Sequence, residues 1–417
     1  MDSTGSNSSA EPARAARADI VVGLTSYNDA RTIGAVVRAV EGGLSRYFES
    51  SAARIVLADA RSADGTREAA RAASSGALIE VDYPSPKAFA AVSYHGYPGR
   101  PAALRAILEA AQRLGARGCA VLDTALVSVT PEWIERLIGP VLTGGFDYVS
   151  PYFARRVNEG AITKGIVYPM FRALYGARLR QPAAAEFGCS ARLVAHHLDQ
   201  DFWDLEQAET GIDLWLAVAA ACGEFRICEA SLGARATSRD TPSDLSTTLA
   251  QVVGALFADV EHRVEIWQRT RKSIPVPVAG AVPEIAPAPV NVEGLIEAFR
   301  LGYRELRDIW TWVLPPRTII ELGRLVEMPP DRLRFDDRLW ANIIYDFALG
   351  YSLRVLPQEH LLRSLTPLYS GWLASFVGQV DGAGLGEIEQ RVEELCLGFE
   401  AEKRYLIARW RWPERLR

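Results

Sequence analysis

The chain is poor in the features that would staple, anchor or charge it. Its five cysteines (Cys119, Cys189, Cys222, Cys228 and Cys396) are odd in number, scattered, and never spaced Cys-x-x-Cys. That argues against a disulfide or zinc framework and for buried thiols in a reduced, cytoplasmic protein. No run of ~18 uninterrupted apolar residues occurs, so no membrane span is expected. Positive charge is not in excess: 46 Lys and Arg against 51 Asp and Glu leave a net charge of -5. Nothing electrostatic therefore points to nucleic acid as a partner. No Gly-x-Ser-x-Gly elbow follows a strand-like run, which removes support for a Ser-His-Asp hydrolase. There is no internal repeat. The opening "MDSTGSNSSAEPARAARAD" lacks an apolar core behind its charges. It reads as a disordered polar tail over residues 1–18, not as a signal peptide.

What is present is an ordinary globular composition, 49% hydrophobic and 23% charged over 417 residues, enough for two or three folding units. From Asp19 onward, short β-rich runs alternate with longer helical ones. "DIVVGLTSY", "ARIVLADA", "ALIEVDYP" and "GCAVLDT" read as strands. Between them, "ARTIGAVVRAVEGGL" places Ile33, Val36, Val37 and Val40 on one helical face, and "TREAARAASS" and "PAALRAILEAAQRLG" follow suit. This alternation predicts an α/β fold with a mostly parallel sheet flanked by helices, whose sites lie beyond the carboxyl ends of the strands. The residues to read are then Thr25 to Asp29, Asp59 to Thr66, and Asp123. Residues 19–275 are taken as this domain. The proline-rich residues 276–292 read as an extended linker, and 293–417 as an α-helical C-terminal region. Aromatic stripes there (Phe299, Tyr303, Trp310; Trp340, Tyr345, Phe347) fit core packing, so the tail should pack on the domain or mediate a homodimer.

"SYNDARTI" after the first strand and "ADARSADGT" after the second carry the most specific pattern. Alone, the second is as well explained by a turn in which Asp64 or Thr66 caps the next helix. With "YHGYPGRPAALRAILEAA", "VSVTPEWIERLIGPVL", "RRVNEGAIT", "QPAAAEFGCS" and "TGIDLW" in this order, the chain resembles retaining, family 2-like glycosyltransferases of the GT-A fold. Within these it is most similar to the synthases of mannosylglycerate, glucosylglycerate and glucosyl-3-phosphoglycerate. The resemblance spans Ile20 to Ile266. It implies transfer of a sugar from a GDP- or UDP-linked donor, guanosine being favoured, to a small carboxylate-bearing acceptor.

Residue by residue, the resemblance implies that Thr25, Tyr27, Asp59 and Asp64 line the nucleotide pocket. Arg100 stands where a lysine lies near the diphosphate. Asp123 matches the first acid of the metal-binding Asp-x-Asp, and Asp213 the acid beside the reacting centre. Arg155, Glu159 and Thr163 match residues that hold the acceptor. Asp213 could also be a simple charge at a helix start, and Arg155 a surface partner of Glu159. Two departures stand out: the second acid of Asp-x-Asp is Ala125, and a metal-binding histidine is replaced by Thr237. A divalent ion wants several hard ligands. The expectation is therefore that no metal cofactor is required, with weak Mg2+ or Mn2+ binding at most. Arg100, Lys164, Arg235 and Arg239 are cations that could serve instead, or ordinary surface residues. His196 and His197 are adjacent and cannot share a helix face, while His95 falls in a loop on the donor side. Loss of the metal suggests recruitment to a specialised pathway such as antibiotic biosynthesis, with S-glycosylation of a small thiol as one form. A non-catalytic nucleotide-sugar-binding protein is the alternative.

Overall fold

The computed structural model describes residues 17–84, 99–154, 159–239, 244–281 and 290–412. Eight strands form one sheet: β1 (Ile20–Ser26), β2 (Ala53–Asp59), β3 (Leu78–Val81), β4 (Gly118–Asp123), β5 (Tyr148–Ala154), β6 (Phe187–Ser190), β7 (Ile227–Ala234) and β8 (Val278–Ala279). Their order is β3-β2-β1-β4-β6-β5-β7-β8. β6 runs antiparallel to β4 and β5, and the remaining pairs are parallel. The fold class expected from the alternation is the one found: a mostly parallel sheet flanked by helices, followed by a helical C-terminal region.

Side chains alternate across the sheet, so β1 feeds two cores. Ile20, Val22 and Leu24 meet the helices Ile33–Tyr47 and Pro131–Leu142 on one face. Val21 faces the other core, built on the helices Arg100–Leu114 and Ala208–Cys222. Gly23 has no Cβ because one would run into Ile107, so the glycine lets the helix Arg100–Leu114 lie directly on the strand. That contact fixes where Arg100 emerges.

The C-terminal helices (Val292–Trp310, Pro316–Val326, Asp337–Ser352, Gln358–Ser364, Thr366–Gln379 and Leu385–Arg411) join this second core. Trp340 Nε1 donates to the carbonyl of Gly165 at 2.9 Å, and a side chain at Gly165 would overlap the Trp372 ring. Lys403 Nζ donates to the carbonyls of Ala173 and Thr270, both at 2.8 Å. The tail thus packs on the sheet-bearing part of its own chain. The expected linker needs correction at its start. Val278 and Ala279 pair with β7 as an edge strand, and Glu229 N donates to the Pro277 carbonyl at 2.8 Å. Prolines are tolerated there because an edge strand bonds on one side only.

Candidate active site

Parallel register brings the predicted site residues to one edge: Ser26 lies beside Asp59, and Thr25 beside Asp123. The loops after β1 and β2 then brace each other. Asn28 N donates to Ser62 Oγ at 2.8 Å, Ala63 N to Asn28 Oδ1 at 3.1 Å, and Asp29 N to Thr66 Oγ1 at 2.9 Å. Asn28 takes a left-handed φ of 53°, a conformation that asparagine adopts more readily than most residues. Asp64 accepts from Thr66 N at 3.1 Å and Ala30 N at 3.0 Å, so it organises the turn into the helix Thr66–Ala73. Tyr27 sits half-buried in the first loop, its N–H directed at Asp29.

Asp59 is buried and accepts four hydrogen bonds, from Ser26 Oγ (2.7 Å), Ser62 Oγ (2.6 Å), Ser62 N (2.9 Å) and Arg67 Nε (3.0 Å). Burial works to raise its pKa, but these donors outweigh it and hold the carboxyl below its ordinary value. Four donors fill the lone pairs of one carboxylate. Asp59 is thereby an anchor of the loop that carries Asp64.

Arg100 opens the helix Arg100–Leu114 and has no exposed surface. Its Nε and one terminal nitrogen meet the two oxygens of Asp213 at 2.7 and 2.6 Å. The guanidinium also donates to Thr25 Oγ1 (3.2 Å) and to the Ala185 carbonyl (2.7 Å). Gly99 N donates to Glu209 at 3.0 Å, a second tie between the starts of these two helices. Burial raises the Asp213 pKa, opposed by Arg100. The structure thus joins three predicted residues, Thr25, Arg100 and Asp213, and gives Arg100 a carboxylate to hold.

Asp123 is held differently. Its Oδ1 accepts from Ala125 N at 2.9 Å, and both its oxygens lie 2.9 Å from a terminal nitrogen of Arg239. The other terminal nitrogen of Arg239 bonds Asp29, which also accepts from Thr124 Oγ1 at 2.6 Å. Burial raises the Asp123 pKa, opposed by Arg239. The two altered positions are neighbours: Leu126 and Thr237 form an antiparallel bridge, Ser238 N donates to the Ala125 carbonyl at 2.8 Å, and Thr237 Oγ1 donates to it at 3.3 Å. A divalent ion does not fit this donor set. Alanine offers nothing, Asp123 already faces a guanidinium, and no group of three ligating side chains occurs among the described residues.

Arg239 is one of the four cations that stand out in the sequence, whereas its partner Asp29 stands out there only as part of the loop Thr25 to Asp29. Arg235 pairs through two nitrogens with Glu186, which is fully buried and was not singled out at all. An acid inside "PAAAEFG" was the available signal, since a charge among small and apolar residues must find a buried partner. Arg155 and His95 lie outside the described residues. Glu159 sits in a turn, and Thr163 begins the π-helical turn Thr163–Val167. His197 is buried, with no hydrogen-bond partner for either ring nitrogen among the described residues.

No protein-family model matches the chain, and no curated protein matches it by sequence. Among solved structures it is similar to glucosyl-3-phosphoglycerate synthase from Mycobacterium tuberculosis in complex with Mn2+, uridine diphosphate and phosphoglyceric acid. That match has 20% identity and a TM-score of 0.44, and covers 58% of this chain and 78% of that one. The complex of that synthase with Mg2+ and uridine diphosphate gives 21% identity and a TM-score of 0.44 over the same shares. A third complex, with Mn2+, UDP-glucose and phosphoglyceric acid, gives 22% identity and a TM-score of 0.42, covering 64% of this chain and 90% of that one.

Proposed function

We propose that the protein is a glycosyltransferase that moves a sugar from a GDP- or UDP-linked donor to a small carboxylate-bearing acceptor. One observation carries the reading. The separate segments that resemble glycosyltransferases meet at one edge of the sheet, where Thr25, Asp123 and the Arg100–Asp213 pair adjoin. In such a transfer the acceptor's hydroxyl or thiol bonds the anomeric carbon as its bond to the β-phosphate oxygen breaks. The nucleoside diphosphate leaves with the electron pair, and its departing phosphate oxygen takes up the acceptor's proton.

In this reading the loops of Thr25, Tyr27, Asp59 and Asp64 frame the nucleotide, and Arg100 fixes the Asp213 carboxylate beside the reacting carbon. Asp123 lies on the sugar-diphosphate side. Arg155, Glu159 and Thr163 take the acceptor, with Arg155 on its carboxylate. Retention of configuration follows from the resemblance in sequence. Ala125 and Thr237 support weak or no dependence on metal. A thiol acceptor, as in S-glycosylation within antibiotic biosynthesis, suits such a site because a better nucleophile needs less activation of the donor. We place the enzyme in the cytoplasm as a homodimer, for which exposed Trp312, in the turn after the helix Val292–Trp310, and Ile320, on the helix Pro316–Val326, offer apolar surface.

The test is a panel of GDP- and UDP-sugars incubated with hydroxy- and thiol-carboxylates, read by mass spectrometry of the small molecules. A glycosylated acid together with free nucleoside diphosphate is the expected result. Tight nucleotide-sugar binding with no product from any pair would favour a non-catalytic binding protein instead. The full pairing of Asp123 and Asp213 with arginines is the observation that keeps this second reading in view.

A further inference from the structure

We propose that Arg239 is the resident cation of this site, its guanidinium holding the place between Asp29 and Asp123 that a divalent metal would need. It thereby keeps metal out and supplies the positive charge that a donor diphosphate requires. The second half of this statement rests on the glycosyltransferase reading; the first does not.

The geometry is specific. One terminal nitrogen of Arg239 serves both oxygens of Asp123 and the other serves Asp29, so a single planar group bridges two buried acids. The acids keep only 2% side-chain exposure each, whereas the arginine keeps 15%, so the cation is the outermost member of the trio. A metal arriving here would meet two carboxylates already neutralised in part by a tethered charge, and would have to expel it. The chain also builds the turn that delivers this arginine. Thr237, in the position of the lost metal-binding histidine, donates to the Ala125 carbonyl and accepts from Arg239 N at 3.3 Å. The residues that replaced two ligands therefore join to hold the segment that carries the substitute.

Mn2+ titration followed by electron paramagnetic resonance tests the placement without any nucleotide. The full-length wild type should take up no Mn2+ at this site. Arg239→Ala should gain one equivalent, and Arg239→Ala combined with Asp123→Asn should lose it again. Uptake by the wild type, or no gain in Arg239→Ala, overturns the inference. Melting curves accompany each variant, and Arg239→Gln, which keeps a planar amide, replaces the alanine if that fails to fold. Calorimetry with GDP and UDP then reads the second half. Wild-type affinity should be equal in EDTA and in Mn2+, while Arg239→Gln should bind ~10-fold or more weakly in EDTA and recover with Mn2+. Unchanged affinity of Arg239→Gln in EDTA overturns the role in diphosphate binding. A wild type that binds neither nucleotide overturns the glycosyltransferase reading, and the Mn2+ result still decides what Arg239 does.

Discussion

At the carboxyl edge of the sheet, Arg100 meets Asp213 with side-chain exposures of 0% and 8%. Where the C-terminal helices join the domain, the equally buried Arg172 meets Glu393 and Glu400, which stay 41% and 27% exposed. The two arginines are alike in burial and differ in their partners. The same interface carries apolar packing at Gly165, where Trp340 and Trp372 stack 5.3 Å apart. Beside Arg100 the charges crowd together: Asp29, Asp123, Glu186 and Asp213, all dry, face Arg100, Arg235 and Arg239. Apolar burial explains adhesion of the tail. A dry charge cluster costs stability to assemble, and groups shifted by burial beside a specific charge partner are candidates for a functional site.

The bluntest way to break this comparison is to remove the tail. A chain ending at residue 275 would lose β8 and uncover the face of Gly165 and Phe171, now covered by tail helices. We expect it to be insoluble or unfolded, by circular dichroism and sedimentation. A soluble fragment melting like the full chain would show that the apolar interface contributes little.

Replacing each arginine by methionine sharpens the contrast. Arg100→Met strands Asp213 in a dry site and should cost about 3–5 kcal/mol of unfolding free energy, with turnover lost. Arg172→Met leaves two glutamates that can turn to water and should cost at most ~1 kcal/mol. Equal losses in denaturant titrations would mean that partner exposure does not set the cost.

Arg155→Lys extends the test to the acceptor side. An anchor for a carboxylate should weaken acceptor binding by about 1.5–3 kcal/mol, because lysine lacks the planar fork. Donor affinity and melting temperature should stay in place. An unchanged acceptor KM with a lower melting temperature would make the residue structural.

His197 supplies an effect confined to acid pH, from a buried ring whose nitrogens have no hydrogen-bond partner among the described residues. Burial, helped by His196, pulls its pKa from 6.5 to about 3. The unfolded chain therefore takes up the proton first as pH falls. This contribution is flat above pH ~6.5 and removes ~1.4 kcal/mol per unit below it, until about pH 3. His197→Leu should flatten that acid limb by one proton in melting temperatures recorded against pH. Identical limbs would mean that the ring is not buried as a neutral group.

Much of this architecture could be read from local pattern. The 3.6-residue spacing of Ile33, Val36, Val37 and Val40 marked a helix that runs Ile33–Tyr47, and all four side chains are buried. The strand-like runs end one residue beyond the ends of β1, β2 and β4. The four residues of β6 were too short to show a period, and the helix Thr366–Gln379 is buried on most sides, from Leu368 to Phe376, so it presents no amphipathic face. At the site, Asp123 and the altered Ala125 and Thr237 stood out in sequence, while Glu186 did not.

By itself the sequence determined the elements and which polar residues sit at the strand ends, because both follow from spacing over a few residues and from the direction of parallel strands. It also determined that Ala125 and Thr237 offer neither a carboxylate nor an imidazole, since that is a matter of residue type. Only the tertiary structure decided who neutralises whom. Arg100 finds Asp213 across 113 positions, and Arg239 finds Asp123 across 116 and Asp29 across 210. The attraction between charges depends on distance and dryness in space, and those are set by how β6 threads between β4 and β5 and where the chain leaves β7, not by separation along the chain.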